Sequence, residues 1–387
     1  MVDESSQVTK RLHKKPPYKL LALDGGGIRG LITIEVLGEL ERVLQQALGK
    51  DDKFVLADYF DYVAGTSTGA VIAACLCLGM RVEKIRQFYL DSAELMFSKT
   101  SIFNRLKYKF EDEPLALKLR SEFQATTGET KTNEPALGSA GLKTLLMMVM
   151  RNATTDSPWT ICNNPQAKYN DRQRTDCNLA LPLWQLVRAS TAAPTFFPPE
   201  QIAIGKNNFI FVDGGVTTYN NPAFQLFLMA TAEPYNLRWK TSAPEDMLIV
   251  SIGTGTSPRP DGTLQPDDMN LLFNATTIPS ALMFAALNEQ DFLCRVFGQC
   301  LAGDPLDREI GDMIGKAGPH ERKLFTYVRY NAELTHPGLQ GLGLDKIAPE
   351  AVQKMDSVAH KDDLRLVGAA VAKAKVKAEH FKNFLQS

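Results

Sequence analysis

The chain has 387 residues, 44% of them hydrophobic and 22% charged, which is a globular composition with length enough to bury a real core in one large domain or two modest ones. Its 43 basic and 44 acidic residues leave a formal net charge of −1, and this excludes the basic footprint that a nucleic-acid binder needs to displace counterions. The six cysteines (Cys75, Cys77, Cys162, Cys177, Cys294 and Cys300) form no CxxC pair and no zinc spacing, and read as reduced thiols in a cytoplasmic protein with no metal or organic cofactor.

Residues 1–16 carry charge and lack the apolar core of a secretory signal, so they read as a flexible lead-in. An apolar run, YKLLALD (18–24), is strand-like; after three glycines, LITIEVLGELERVLQQAL (31–48) has a helical pattern. The same order repeats with the strand candidate YFDYVAG (59–65) and the helical pattern AVIAACLCLGMRVEKIRQFYL (70–90). Such alternation predicts βαβ units and a largely parallel sheet. Segments 125–141 and 163–178, rich in Thr, Asn, Gly and Asp without periodicity, are expected loops. Between and beyond them lie further strand candidates: TLLMMVMRNAT (144–154), which also reads as a short buried helix, FIFVDGG (209–215) and DMLIVSIGTG (246–255). An amphipathic stretch at 278–300 and a Lys-faced helical pattern at 364–385 complete the chain. The longest apolar runs fall short of the roughly 20 residues that span a bilayer, so membrane contact is expected to be peripheral.

Three chemistries compete for the glycine-lined turn after the first strand: it holds a nucleotide phosphate, holds an oxyanion, or simply turns. Gly25, Gly27 and Gly30 fit GxGxxG, yet Glu41 falls inside the following helical pattern instead of closing a second strand, and no Walker lysine follows. Residues 65–69, GTSTG, place Gly65, Ser67 and Gly69 as GxSxG at a strand-to-helix junction, where small neighbours let a sharp turn expose a nucleophilic hydroxyl. A serine needs a base within hydrogen-bond reach. Of the five histidines, His13, His360 and His380 lie in the lead-in or the charged tail, while His320 and His336 sit in turn-like contexts. Asp213, closing FIFVDGG at a strand's carboxyl end, is the stronger candidate, although Asp before Gly-Gly also makes a simple turn.

DGGGIRG (24–30), GTSTG (65–69) and DGG (213–215), in that order, resemble the patatin-like phospholipase family. RASTAAPTFFPP (188–199), NNPAF (220–224) and LIVSIGTGT (248–256) extend the likeness from about residue 18 to about residue 256. The resemblance implies an α/β fold, a three-layer α/β/α sandwich on a mainly parallel sheet. It implies a catalytic domain over 17–340 with a helical tail, 341–387, packed on it. It further implies a Ser-Asp dyad of Ser67 as nucleophile and Asp213 as base, an oxyanion hole from the backbone around Gly25, Gly26 and Gly27, and an Arg29 that holds the loop or favours an anionic substrate group. The expected substrates are lipid esters (phospholipid, lysophospholipid or galactolipid), with Phe196, Phe197 and the 278–300 stretch as candidate walls of an acyl pocket. A storage protein, or an effector gated by a nucleotide signal, is the contrasting expectation.

Overall fold

A computed structural model of the chain describes residues 6–97, 114–127, 134–194, 197–258, 265, 267, 271–320 and 322–385. Strand β1 (Tyr18–Leu23) is buried along its whole length. Its near-continuous apolar run reflects cover on both faces: Leu21 and Leu23 enter one core, Leu20 and Ala22 the other.

The remaining strands are β2 (Tyr62–Thr66), β3 (Leu145–Asn152), β4 (Ser157–Cys162), β5 (Glu200–Ile204), β6 (Asn207–Asp213), β7 (Met247–Ile252), β8 (Gly298–Ala302) and β9 (Phe325–Tyr330). Among the described residues they form one nine-stranded sheet in the order β5-β6-β3-β2-β1-β7-β9-β8, with β4 also on β3. From β3 to β8 every neighbouring pair is parallel. Strands β4 and β6 run antiparallel to β3, and β5 antiparallel to β6.

Helices α1 (Gly30–Ala47), α2 (Thr68–Cys77), α3 (Val82–Phe97), α4 (Leu183–Ser190) and α7 (Lys361–Lys375) pack into the first core. Helix α5 (Ala223–Thr231) and the end of α6 (Leu271–Phe297) pack into the second. The result is the expected three-layer α/β/α arrangement on a mainly parallel sheet.

Four local expectations shift. The expected flexible lead-in holds a short helix, Gln7–Leu12, anchored where Arg11 Nη1 donates to the buried Asp61 Oδ1 at 2.6 Å. The helical pattern at 70–90 is two helices, because Gly79 (φ 81) takes the left-handed conformation that ends a helix cheaply only at glycine. The 278–300 stretch is helical only to Phe297 and then enters β8. The C-terminal pattern breaks at Val376 (φ −80, ψ 117) and closes in a 3₁₀ turn, Ala378–Phe384. The ambiguous run at 144–154 is strand β3. Helix α7 lies close on α1, where a Cβ at Gly368 would sit 2.9 Å from Ile32 Cα, and Arg365 Nε donates to Glu35 Oε1 at 2.9 Å.

Candidate active site

Register brings the site together. Thr66, the last residue of β2, pairs with Val149 of β3, and Asp213, the last residue of β6, pairs with the next β3 residue, Met150. Since β4 pairs with β3 along both stretches, β2 and β6 share the other side of β3, carboxyl end to carboxyl end. Ser67 and Asp213, 146 residues apart in sequence, therefore meet: Ser67 Oγ donates to Asp213 Oδ2 at 2.6 Å.

The turn that carries Ser67 is strained and tightly fitted. Ser67 has φ 54 and ψ −123, a conformation that costs energy in a non-glycine residue and persists only where the surroundings enforce it. A Cβ at Gly65 would lie 2.1 Å from Gly69 O, and one at Gly69 would lie 2.3 Å from Leu23 O. Side chains at either position would push the elbow apart. Ser190, at the end of α4, holds the elbow from behind: its Oγ accepts from the Ser67 amide at 3.0 Å and donates to Val149 O at 2.5 Å.

Asp213 is buried, and its second oxygen, Oδ1, accepts from the Gly215 amide at 2.6 Å. Burial raises its pKa to about 6, against the opposing pull of the hydrogen bonds from Ser67 and Gly215. The carboxylate is thus a stronger proton acceptor than a solvated aspartate.

The glycine loop lies beside the serine. A Cβ at Gly25 would be 3.1 Å from Ser67 Cβ and 2.3 Å from Asn220 Oδ1. A Cβ at Gly26 would be 2.1 Å from Thr254 Oγ1, and Gly27 (φ 62) would put one 2.3 Å from Met355 O. The three glycines are required by contact, the last also by its left-handed backbone. Their amides are not equivalent. Gly25 N donates to Asn220 O at 3.1 Å, whereas the Gly26 and Gly27 amides make no hydrogen bond among the described residues. Thr254 Oγ1 steadies the loop by donating to Gly25 O at 2.8 Å, and Ile28 N donates to Met355 O at 3.0 Å.

Arg29 turns toward the C-terminal segment, its Nη1 donating to Gln353 O at 3.3 Å while its Nε is buried without a hydrogen-bond partner among the described residues. Burial lowers its pKa to about 10, with Asp24 opposing the shift. The histidines are elsewhere engaged or exposed: His380 Nδ1 is 2.7 Å from the Tyr330 hydroxyl and His360 Nδ1 is 3.0 Å from Asp363 Oδ2, while His13, His320 and His336 are exposed. All six cysteines are free and buried, and no metal-holding group of His, Cys, Asp and Glu occurs among the described residues. No described helix is long and apolar enough to cross a membrane. Of the expected pocket residues, Phe196 lies outside the described residues and Phe197 packs half-buried against the core.

Sequence reasoning assigned no role to Ser190, Asn220, Thr254 or Met355. Ser190 and Asn220 did fall inside motif blocks, RASTAAP and NNPAF, and Thr254 inside LIVSIGTGT.

A mainly parallel sheet between helical layers, with a strand–turn–helix elbow and a glycine loop at the carboxyl ends of two of its central strands, is the architecture of a three-layer α/β/α protein. The family model "Patatin-like phospholipase" matches residues 21–227, and the chain belongs to that family. Patatin-T5 of Solanum tuberosum is 28% identical over 318 residues, 73% of this chain and 77% of that protein. A cGAMP-activated phospholipase of Vibrio cholerae is 28% identical over 257 residues, 62% of this chain and 65% of that protein. The solved human GIVD cytosolic phospholipase A2 matches 98% of this chain and 63% of its own at 12% identity, with a TM-score of 0.48. In the last two comparisons the match spans just under two-thirds of the other protein.

Proposed function

We propose that the protein is a lipid acyl hydrolase of the phospholipase A type in which Ser67 is the nucleophile, Asp213 the base, and the Gly26 and Gly27 amides the oxyanion donors. The observation that carries this reading is the 2.6 Å hydrogen bond from Ser67 Oγ to a buried Asp213. Ser67 Oγ attacks the ester carbonyl as its proton passes to Asp213 Oδ2. Charge developing on the carbonyl oxygen is met by amides that have no other partner among the described residues, an interaction of about 3 to 4 kcal/mol for a single donor. Collapse releases the alcohol, which leaves with the proton from Asp213, and acylates Ser67. Water then attacks the acyl-enzyme, giving its proton to Asp213, and Ser67 recovers that proton as the fatty acid departs.

The surroundings suit a lipid. Val216, one residue beyond Gly215, and Met355, packed on Gly27, are large apolar side chains left substantially exposed at the rim. The catalytic unit is proposed to run over 17–340 with 341–387 packed on it. Carbonyls of that tail, Met355 and Gln353, brace the glycine loop and Arg29. The peripheral contact of this face with a membrane belongs to the same proposal.

The test is a screen over phospholipids, lysophospholipids, galactolipids, acylglycerols and chromogenic acyl esters, with S67A as control. Hydrolysis by the wild type that S67A loses supports the reading; turnover that survives in S67A sinks it. A second reading, gating by a nucleotide, rests on the likeness to a cGAMP-activated phospholipase. Running the screen with and without cyclic dinucleotides separates a gated enzyme from one active unaided, and from a storage protein without turnover.

A further inference from the structure

Asp24 closes β1 and opens the glycine loop, but takes no part in the chemistry above. Its side chain and that of Arg329, on β9, are both fully buried. Strand β7 lies between their two strands, and Arg329 pairs in register with Ser251 of β7. The guanidinium reaches across β7: Nη1 donates to Asp24 Oδ1 at 2.8 Å and to Ser251 Oγ at 2.7 Å, and Nη2 donates to Asp24 Oδ2 at 2.5 Å. On its other side Arg329 Nε lies 3.8 Å from Asp291 Oδ2, in the buried half of α6. Asp291 is itself gripped by Arg295, at 2.7 and 2.8 Å, and Arg295 Nη1 donates to the carbonyls of Asp304 and Asp312. Four buried charges of alternating sign thus run from the glycine loop to α6.

Stability alone does not call for this chain. A buried ion pair repays its desolvation at best partly, and well-packed apolar residues often serve stability as well or better. A two-pronged guanidinium–carboxylate contact supplies direction instead. Burial pushes the Asp24 carboxyl up, and the Arg329 guanidinium opposes that shift. The residue it fixes lies two positions before Gly26, and an ångström of misplacement in a reacting site costs about 10²-fold in rate.

We propose that Arg329 is a positioning residue for the oxyanion loop: by holding both oxygens of Asp24 it sets the direction of the Gly26 and Gly27 amides, and through Asp291 it ties that loop to helix α6. The inference rests on the acyl-hydrolase reading above. A loop displaced by loss of the clamp still admits substrate but meets the oxyanion poorly, so the deficit falls on kcat and spares KM.

The test uses the full chain carrying R329K, S251A, D291N or the neutral pair D24N/R329M. A short chromogenic ester is the substrate, and rates are normalised to Ser67 sites titrated with a fluorophosphonate. R329K keeps the charge and loses the two-pronged grip; kcat should fall 10- to 100-fold with KM within threefold. D291N and S251A, which loosen Arg329 from either side, should lose roughly three- to tenfold in kcat. D24N/R329M, free of buried charge, should melt within a few degrees of wild type and still be deficient in kcat. The proposal is overturned if R329K or the neutral pair turns over within twofold of wild type per titrated site, or if the loss appears in KM alone. Should R329K and the pair fail to fold, S251A decides, since it alters no charge, and a wild-type kcat there overturns the proposal. A wild type without ester hydrolysis would instead remove the acyl-hydrolase reading itself.

Discussion

Asp213 divides its two carboxylate oxygens between Ser67, whose hydroxyl donates to Oδ2 at 2.6 Å, and the amide of Gly215, which donates to Oδ1 at 2.6 Å. Both hydrogen bonds favour the ionised form, yet burial outweighs them and lifts the pKa from 3.8 to about 6. Only the carboxylate accepts the serine proton, so kcat/KM should rise with pH through an apparent pKa near 6 and then level. A profile flat from pH 5 to pH 8 would remove Asp213 as the base.

The same shift has a stability consequence of opposite sense. The folded protein holds this proton up to about pH 6, whereas the unfolded chain releases it near pH 3.8, so folding takes up a proton between those values. Stability therefore falls as pH rises through that window, by about 3 kcal/mol at most for a shift of this size. D213N carries no charge to bury. It should abolish turnover while melting a few degrees higher than wild type at pH 8, with the gain vanishing near pH 4; calorimetry at the two pH values decides.

No histidine contacts Ser67 in the structure: His380 is bonded to Tyr330, and His320 and His336 are exposed. H320A, H336A and H380A should each keep kcat/KM within a few-fold of wild type when their circular dichroism matches it. Complete loss in any one, at the level of D213N, would replace the dyad by a triad.

The glycine loop yields a steric prediction. A Cβ at Gly26 would fall 2.1 Å from Thr254 Oγ1 and 2.5 Å from Thr254 Cβ, so G26A must displace the loop. A loss of at least 10²-fold in kcat is expected, as for removal of an oxyanion donor. Glycine at 254 removes both obstructing atoms, and G26A/T254G should regain part of that loss. If the double variant is no better than G26A, the contact with Thr254 is not the cause.

Much of this arrangement was legible in the chain, for physical reasons. Strands β1, β2 and β7 are buried on both faces, and their near-continuous apolar runs stand out; the glycines at 25–27, 65 and 69 stand out because a Cβ there has no room. Strands β4, β5, β8 and β9 left no comparable signal, since β5 (EQIAI) and β8 (GQCLA) mix polar residues into short runs whose strand character comes from pairing. Register was illegible altogether. That Thr66 and Asp213 face consecutive residues of β3 depends on pairing between distant segments, and only family likeness could anticipate the meeting of Ser67 with Asp213. Likewise Met355 O reaches Ile28 N across more than 300 residues, so a tail that reads as packing turns out to brace the site.

Ser190 supplies the last prediction, because it does for the elbow what no sequence pattern announces. Its hydroxyl is wholly buried, accepts from the Ser67 amide at 3.0 Å and donates to Val149 O at 2.5 Å, filling the space between the Ser67 backbone and the neighbouring strand. Ser67 sits at φ 54, a conformation the chain must be held in, and the Ser190 contact is one of the holds. S190A leaves a buried amide and a buried carbonyl each short of a hydrogen bond, at a cost of about 1 to 3 kcal/mol per unsatisfied group. The melting temperature should therefore drop. Relaxation of the elbow also turns the Ser67 hydroxyl away from Asp213, so kcat per folded molecule should fall about tenfold. S190T keeps the hydroxyl and should retain more of the activity than S190A. If S190A destabilises the fold but turns over at the wild-type rate per titrated serine, Ser190 is only a strut of the core and has no part in aiming the nucleophile.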